Sequence, residues 1–358
     1  MTLDKNKSLP KIKQSLGIVF SFFLAAIFLY IAFRGVRARD VIADISKASW
    51  LWVALLALCL TFSHFLRALR WKVILKSVKP DTSIINLFGS LMIGYGVNNI
   101  IPRLGELSRP ILLGKWEGIS RTSLIGTVIV ERVIDSAALA VAVLISVFIY
   151  NGNLYSSFPW LKPAMYLVAI FMAAIIIFLL LLIKYREKFY NIIIRFAGIF
   201  SGKIAHKLSY IFKMLIEGFS TLKDYKSYIY TFLFTALITI SYAVNSYIGF
   251  YTLGMQHIMP ISFSLAWVLY CISSFGVVIP TPGGTGSYQV ITKTAVVMLF
   301  GFSSQLSLAY ATITWFVSYL LSILLALIFF FWLNHKYIKK TGRTEKLVDI
   351  LETKVDSL

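Results

Sequence analysis

Apolar runs, separated by short basic or uncharged stretches, make up most of the chain. They fall at Leu16–Phe33, Trp50–Leu66, Ile84–Ile101, Thr122–Tyr150, Lys162–Ile183, Tyr228–Thr252, 262–300 and Leu306–Leu333. The longer ones approach the roughly 20 apolar residues that cross a bilayer as a helix. Lys and Arg concentrate in the cytoplasmic loops of such proteins. By that rule four stretches are cytoplasmic: the N-terminus (Lys5, Lys7, Lys11, Lys13), the segment carrying Arg67 to Lys79, residues 184–227, and the tail from His335 to Arg343. The charge-free stretches 151–153, 253–260 and 301–305 lie outside. The loop 34–49, with Arg34, Arg37, Arg39 and Lys47, fits this rule poorly and is outvoted by the others.

Both flanks of 84–121 are then inside and both flanks of 262–300 outside, so each segment must leave on the side it entered. The expected fold is all-α and integral to the membrane, with about six transmembrane helices and two opposed re-entrant helical hairpins. An internal repeat supports this. Ile101-Pro102 with Gly105 is matched by Ile279-Pro280 with Gly283, and 283 − 105 gives an offset of 178 residues. The same offset carries Trp50 to Tyr228 and Thr122 to Phe300, both at or beside the start of an apolar run. The duplication spans about 12–160 and 161–335, followed by a cytoplasmic tail at 336–358, and its halves face opposite sides. Inverted repeats with broken helices are a recurrent transporter architecture. Irregular backbone cannot face lipid, so the tips must line a cavity or be buried in protein.

Composition sharpens the class. The chain has 358 residues, 58% of them hydrophobic and 14% charged, with a mean hydropathy of +0.80. Its formal charge of +20 is that of cytoplasmic loops; no zinc-finger spacing or soluble basic domain points to nucleic acid. Cys59 and Cys271 lie in apolar runs, which argues against a disulfide framework. The first run lacks a small-residue cleavage site and reads as a retained span. Within 184–227, Ile204, Leu208, Ile211, Leu215, Phe219 and Leu222 recur at helical spacing among lysines. That pattern suits a helix lying on an anionic surface, or a cap packed on the spans. The four histidines show no metal or triad spacing, and no cofactor is expected.

Charged residues inside the spans carry the candidate chemistry. Glu131, Arg132 and Asp135 lie roughly 15 Å into the span from Thr122 at 1.5 Å per residue. An Arg or Asp at mid-bilayer costs at least about 2.5–3.5 kcal/mol. Three readings stay open: a hydrated headgroup-sized cavity, a proton relay, or an ionic clamp with Arg103, Glu106 or Arg109 as partners. Arg67 and Arg70 close the second span beside Trp71, as interfacial anchors or as a phosphate-capturing pair. Trp50, Trp52 and Trp71 read as interfacial aromatics. Asn98, Asn99, Pro102, Arg103, Gly105 and Glu106 lie at or beside the first tip, and Pro280, Pro282, Gly283, Gly284 and Tyr288 at the second. A helix starting at Pro102 or after Pro282 would direct N–H groups at an anion; a hairpin's need to turn explains the same residues. Arg109 sits seven residues beyond Pro102, two turns along one face. Lys293, in the second arm, either snorkels outward or serves the site.

Taken together, RALRW at 67–71, IPRLGELSR at 101–109, ERVID at 131–135 and IPTPGGTGSYQ at 279–289 resemble the membrane region of the lysylphosphatidylglycerol synthase/flippase family. The resemblance covers about residues 12–335. It implies a flippase-like fold that carries phospholipids from inner to outer leaflet. It also implies, in the best-known members, a C-terminal domain that transfers an aminoacyl group from tRNA; residues 334–358 leave no room for one, so lysyltransferase activity is not expected.

The reading is a non-enzymatic lipid translocase of the cell membrane with both termini cytoplasmic. Its expected partners are phospholipids bearing an anionic phosphate. A scaffold for a separate lipid synthase or glycosyltransferase is the alternative, an integral lipid-modifying enzyme is a weaker one, and a homo-oligomer stays open. A topology test follows directly. Single cysteines at Asn153 and Ser303 in a cysteine-free background should label from outside intact cells, and those at Lys203 and Lys340 should not. Outside labelling at Lys203 would remove the inverted repeat.

Overall fold

The computed structural model describes residues 9–76, 78–150 and 225–341, together with 159, 162–163, 166–167 and 170. Most of the expected span Lys162–Ile183, nearly all of the basic segment 184–227 and the end of the tail lie outside the described residues.

The protein is an all-α membrane protein. Among the described residues its helices are α1 (Leu9–Phe33), α2 (Ala38–Ile45), α3 (Trp50–Leu75), α4 (Ile84–Ile100), α5 (Gly105–Glu117), α6 (Arg121–Ile149), α7 (Tyr225–Thr252), α8 (Phe263–Val278), α9 (Ser287–Phe300) and α10 (Ser304–Thr341). Four are long and apolar enough to cross a membrane, or five if α1 and α2, bent by 84°, make one broken span. Large apolar side chains such as Phe20, Phe23, Leu51, Phe148 and Phe232 stand exposed. That is the outward face expected where the solvent is hydrocarbon. At 17 and 16 residues, α4 and α8 are too short to cross alone.

Several boundaries differ from expectation. Residues 38–45 of the expected outer loop are helical, with Asp40 in the first turn of α2 paired to Arg37 at 2.9 Å. The second span does not end at Leu66 but continues to Leu75, so Arg67, Arg70 and Trp71 are helical. The helix after Pro102 starts at Gly105, because residues 101–104 form a turn in which Arg103 takes φ +67. The start of the tail is helical through Thr341.

The chain divides into two compact units. The first comprises Met1–Phe62, Met92–Glu106 and Ser241–Phe331. In it, α8 and α9 pack on each other and α1 packs on α9. Phe250 lies 4.6 Å, centroid to centroid, from both Phe300 and Tyr310. Ala32, Val41, Leu308 and Ala309 form a second apolar cluster. At Gly105 the chain turns back so closely that a Cβ would lie 1.8 Å from the Gly94 carbonyl oxygen, which only glycine permits.

The second unit comprises Ser63–Leu91, Leu107–Ile240 and Trp332–Leu358. Its core gathers Ala68, Trp71 and Leu75 of α3, Leu87 of α4, Leu113 of α5, and Leu124 and Val128 of α6, with Ile119 between α5 and α6. Trp71 is therefore a core residue, not the interfacial aromatic expected; Trp50, 83% exposed, suits that role.

Candidate functional site

Helical spacing assembles an ionic cluster inside the second unit. Thr127, Glu131 and Asp135 recur every four residues and share one face of α6, while Arg67, Arg70 and Trp71 share one face of α3. Asp135 receives three arginines: Arg67 Nη1 at 2.7 Å, Arg70 Nη2 at 2.6 Å and Arg132 Nη2 at 3.0 Å. Glu131 receives two, Arg109 Nη2 at 2.8 Å and Arg70 Nη2 at 3.4 Å. Arg70 Nη1 also donates to Thr235 Oγ1 of α7 at 3.1 Å. The Arg109 guanidinium lies 4.8 Å from the centroid of the Trp71 ring, whose Nε1 donates to Thr127 Oγ1 at 3.0 Å.

The cluster has an inside and an edge. Arg70 and Glu131 are fully buried, whereas the Arg132 side chain is 38% exposed. Four arginines meet two carboxylates, and 4 − 2 leaves two positive charges in excess among these six side chains. Arg70 Nε is buried with no hydrogen-bond acceptor among the described residues. That leaves one guanidinium donor for a further acceptor, and a charged acceptor such as a carboxylate or phosphate makes the stronger bond to it.

The remaining expected site residues lie in the first unit, where the tips of α4–α5 and α8–α9 meet. Gly283 has φ +54, and a Cβ there would lie 2.7 Å from Asn99 Oδ1 and 2.7 Å from the Tyr319 ring. Asn99 Nδ2 donates to Tyr319 O at 3.1 Å, and Tyr319 Oη returns a bond to Asn99 O at 3.2 Å. Trp315 Nε1 donates to Gly283 O at 2.9 Å. Both helices leaving the tips are capped internally. Asn98 Oδ1 accepts the Gly105 N–H and Gln289 Oε1 the Gly286 N–H, each at 2.7 Å. Those N–H groups are therefore committed to the fold instead of facing an anion.

Pro282 and Gly284 are buried, Pro102 is partly so, and Arg103 and Pro280 are exposed. Tyr288 shares a bond with Thr314 Oγ1 at 3.3 Å. Lys293 Nζ donates to Ala32 O at 2.8 Å, which caps the last turn of α1. Of the three partners expected for the α6 charges, Arg109 reaches Glu131. Glu131 and Arg132 pair with other residues rather than with each other. Thr235 and the stacking role of Trp71 escaped the sequence reading. The repeat Thr231, Thr235, Thr239 was the available signal for Thr235.

The energetics separate the members. Breaking a buried ion pair by deleting one partner costs about 3–5 kcal/mol, because the other charge is left uncompensated. An exposed pair is worth about 0–1 kcal/mol. Asp135→Asn removes the negative charge shared by three arginines, turns one acceptor oxygen into a donor, and should lower stability by about 3 kcal/mol or more. Arg132→Gln should cost at most about 1. Thermal unfolding of the purified protein in detergent reads both, and equal losses would contradict this division.

The chain is similar to the UPF0104 membrane protein MJ1595 of Methanocaldococcus jannaschii, with 25% identity over 295 residues, covering 76% of this chain and 82% of that protein. It is also similar to a UPF0104 membrane protein of Methanothermobacter thermautotrophicus, with 34% identity over 88 residues, covering 23% of this chain and 26% of that one. Residues 15–326 match the family described as the lysylphosphatidylglycerol synthase TM region. With most of its length inside that match, the chain belongs to the lysylphosphatidylglycerol synthase TM-region family.

Proposed function

We propose that the protein is a lipid translocase that moves an anionic phospholipid between the leaflets of the cell membrane, with both termini in the cytoplasm. The observation that carries this reading is the surplus of arginine in the buried cluster of α3, α5 and α6. An unpaired phosphodiester is prohibitively costly in hydrocarbon, tens of kcal/mol in the Born limit. A cluster with two positive charges in excess offsets that cost while the acyl tails remain in the bilayer. One phosphodiester would reduce the excess from two charges to one. In this reading the exposed edge at Arg132 admits the headgroup, and Arg70 and Arg109 hold the phosphate.

Family membership supports a lipid-related role, since the family takes its description from a lipid synthase. Opposed hairpins in an inverted repeat would give access from either side in turn.

Proteoliposomes containing a fluorescent phosphatidylglycerol test this. The wild-type protein should accelerate leaflet exchange over empty vesicles. Arg109→Gln should slow it at least tenfold, the order of one charge-assisted bond lost. Arg70→Lys should slow it as well, because the ammonium keeps the charge and loses the fork. No acceleration by the wild-type protein would sink the translocase reading and favour a scaffold.

A further inference from the structure

The corner between α1 and α2 carries charge that neither the ionic cluster nor the hairpin tips use. Arg34, Arg37, Arg39 and Lys47 stand against Asp40 and Asp44 along residues 34–47, and 4 − 2 leaves two positive charges in excess. In sequence this is the stretch that runs against the charge rule fitting the other loops.

The corner is firmly built. Gly35, at φ +76, turns the chain, and α2 departs from α1 at 84°. Val41 and Ile45 of α2 pack into the apolar cluster with Ala32, Leu308 and Ala309. Gln305 Nε2 of α10 donates to Asp44 Oδ2 at 2.7 Å, and Lys293 Nζ of α9 donates to Ala32 O at 2.8 Å. Just before α3 the Ser49 N–H donates to Thr252 O of α7 at 2.9 Å. Helices α7, α9 and α10 thus hold the corner from both of its ends.

Its charges divide by use. Asp40 takes Arg37 at 2.9 Å, and Asp44 takes the Gln305 amide. Arg34, Arg39 and Lys47 are exposed and make no ion pair with a described residue. With α1 running across the bilayer, the 84° turn lays α2 along its surface. Ile42 of α2 is exposed, and so is Trp50, which opens α3 just beyond. Basic side chains beside an exposed isoleucine and a tryptophan are the composition of a segment anchored at headgroup depth. The partner that complements three uncommitted cations at that depth is the phosphate of an anionic phospholipid.

We infer that the α1–α2 corner is a binding surface for anionic phospholipid headgroups, held by Arg34, Arg39 and Lys47 in the leaflet where α1 ends. On the topology proposed above that is the outer leaflet. The preference for anionic lipid does not require that the protein translocate it, and none of the three side chains belongs to the arginine cluster.

A fluorophore on Ser46→Cys, exposed at the end of α2, reads the lipid at the corner in a cysteine-free background. The full-length protein is placed in nanodiscs of phosphatidylcholine and phosphatidylglycerol. Quenching by nitroxide-labelled phosphatidylglycerol is compared with quenching by phosphatidylcholine carrying the same label. The protein should favour phosphatidylglycerol at least about fivefold, the order of one basic side chain at an anionic surface. Arg34→Gln, Arg39→Gln and Lys47→Gln together, at exposed positions where the fold tolerates change, should bring the ratio close to unity. Salt at about 1 M, which shortens the screening length to about 3 Å, should do the same without any substitution. The fluorophore on Ile258→Cys, exposed in the charge-free stretch 253–260, should show no preference. Equal quenching by the two lipids at Ser46, a preference that survives the triple substitution, or an equal preference at Ile258 overturns the inference. Polyglutamate that shifts the emission at Ser46 in phosphatidylcholine nanodiscs, with equal quenching by the two lipids, would overturn it in favour of an acidic protein partner.

Discussion

Asp135 is the constraint on which the second unit depends. A carboxylate among apolar helices stays ionised only if cations reach it, and three arginines do so within 3.0 Å. Two come from α3 and the third from the preceding turn of α6 itself, so one side chain fixes the register of α3 against α6. Glu131, one turn away, adds α5 through Arg109, and Thr235 adds α7 through Arg70. The apolar core around Trp71, Leu87 and Leu124 packs the same helices, but apolar packing is non-directional. The ion pairs supply direction, and their mutual dependence makes the loss of a buried carboxylate far costlier than the loss of the exposed arginine.

The same arrangement connects stability to function. A cluster balanced in charge would be a clamp and nothing more. In the proposed reading the cluster attracts an anion, which approaches by the edge where Arg132 and Asp135 are partly exposed. In the first unit the Asn99–Tyr319 and Trp315–Gly283 bonds hold two glycine-containing turns in fixed positions. Rigid turns whose N–H groups are committed to Asn98 and Gln289 suit a steric frame better than an anion trap.

Much of this was legible in the chain. The 178-residue offset placed two short helix–turn–helix pairs where α4–α5 and α8–α9 stand, and the i, i+4 spacing of Glu131 and Asp135 placed them on one face. Arg67, Arg70 and Trp71 were harder. A basic stretch after an apolar run usually marks a loop at the membrane surface, whereas here Arg67 and Arg70 pair with carboxylates 61 to 68 residues downstream and Trp71 packs in the apolar core. No local pattern reports that pairing. The start of the helix after Pro102 was misplaced because Arg103 adopts the left-handed region, which a non-glycine residue rarely does. Lys293 looked like a choice between solvent and site, yet its partner is a carbonyl at the end of α1, an acceptor that sequence does not display.

The central claim is that the arginine cluster holds a lipid phosphate. An experimental structure of the protein in nanodiscs containing phosphatidylglycerol addresses it most directly. The account predicts phosphate density within about 3 Å of the Arg70 or Arg109 guanidinium, the distance of a charge-assisted hydrogen bond, with acyl density leading from it into the bilayer. A cluster closed on itself, with its arginines bonded only to protein and water and no lipid density at its exposed edge, would contradict it.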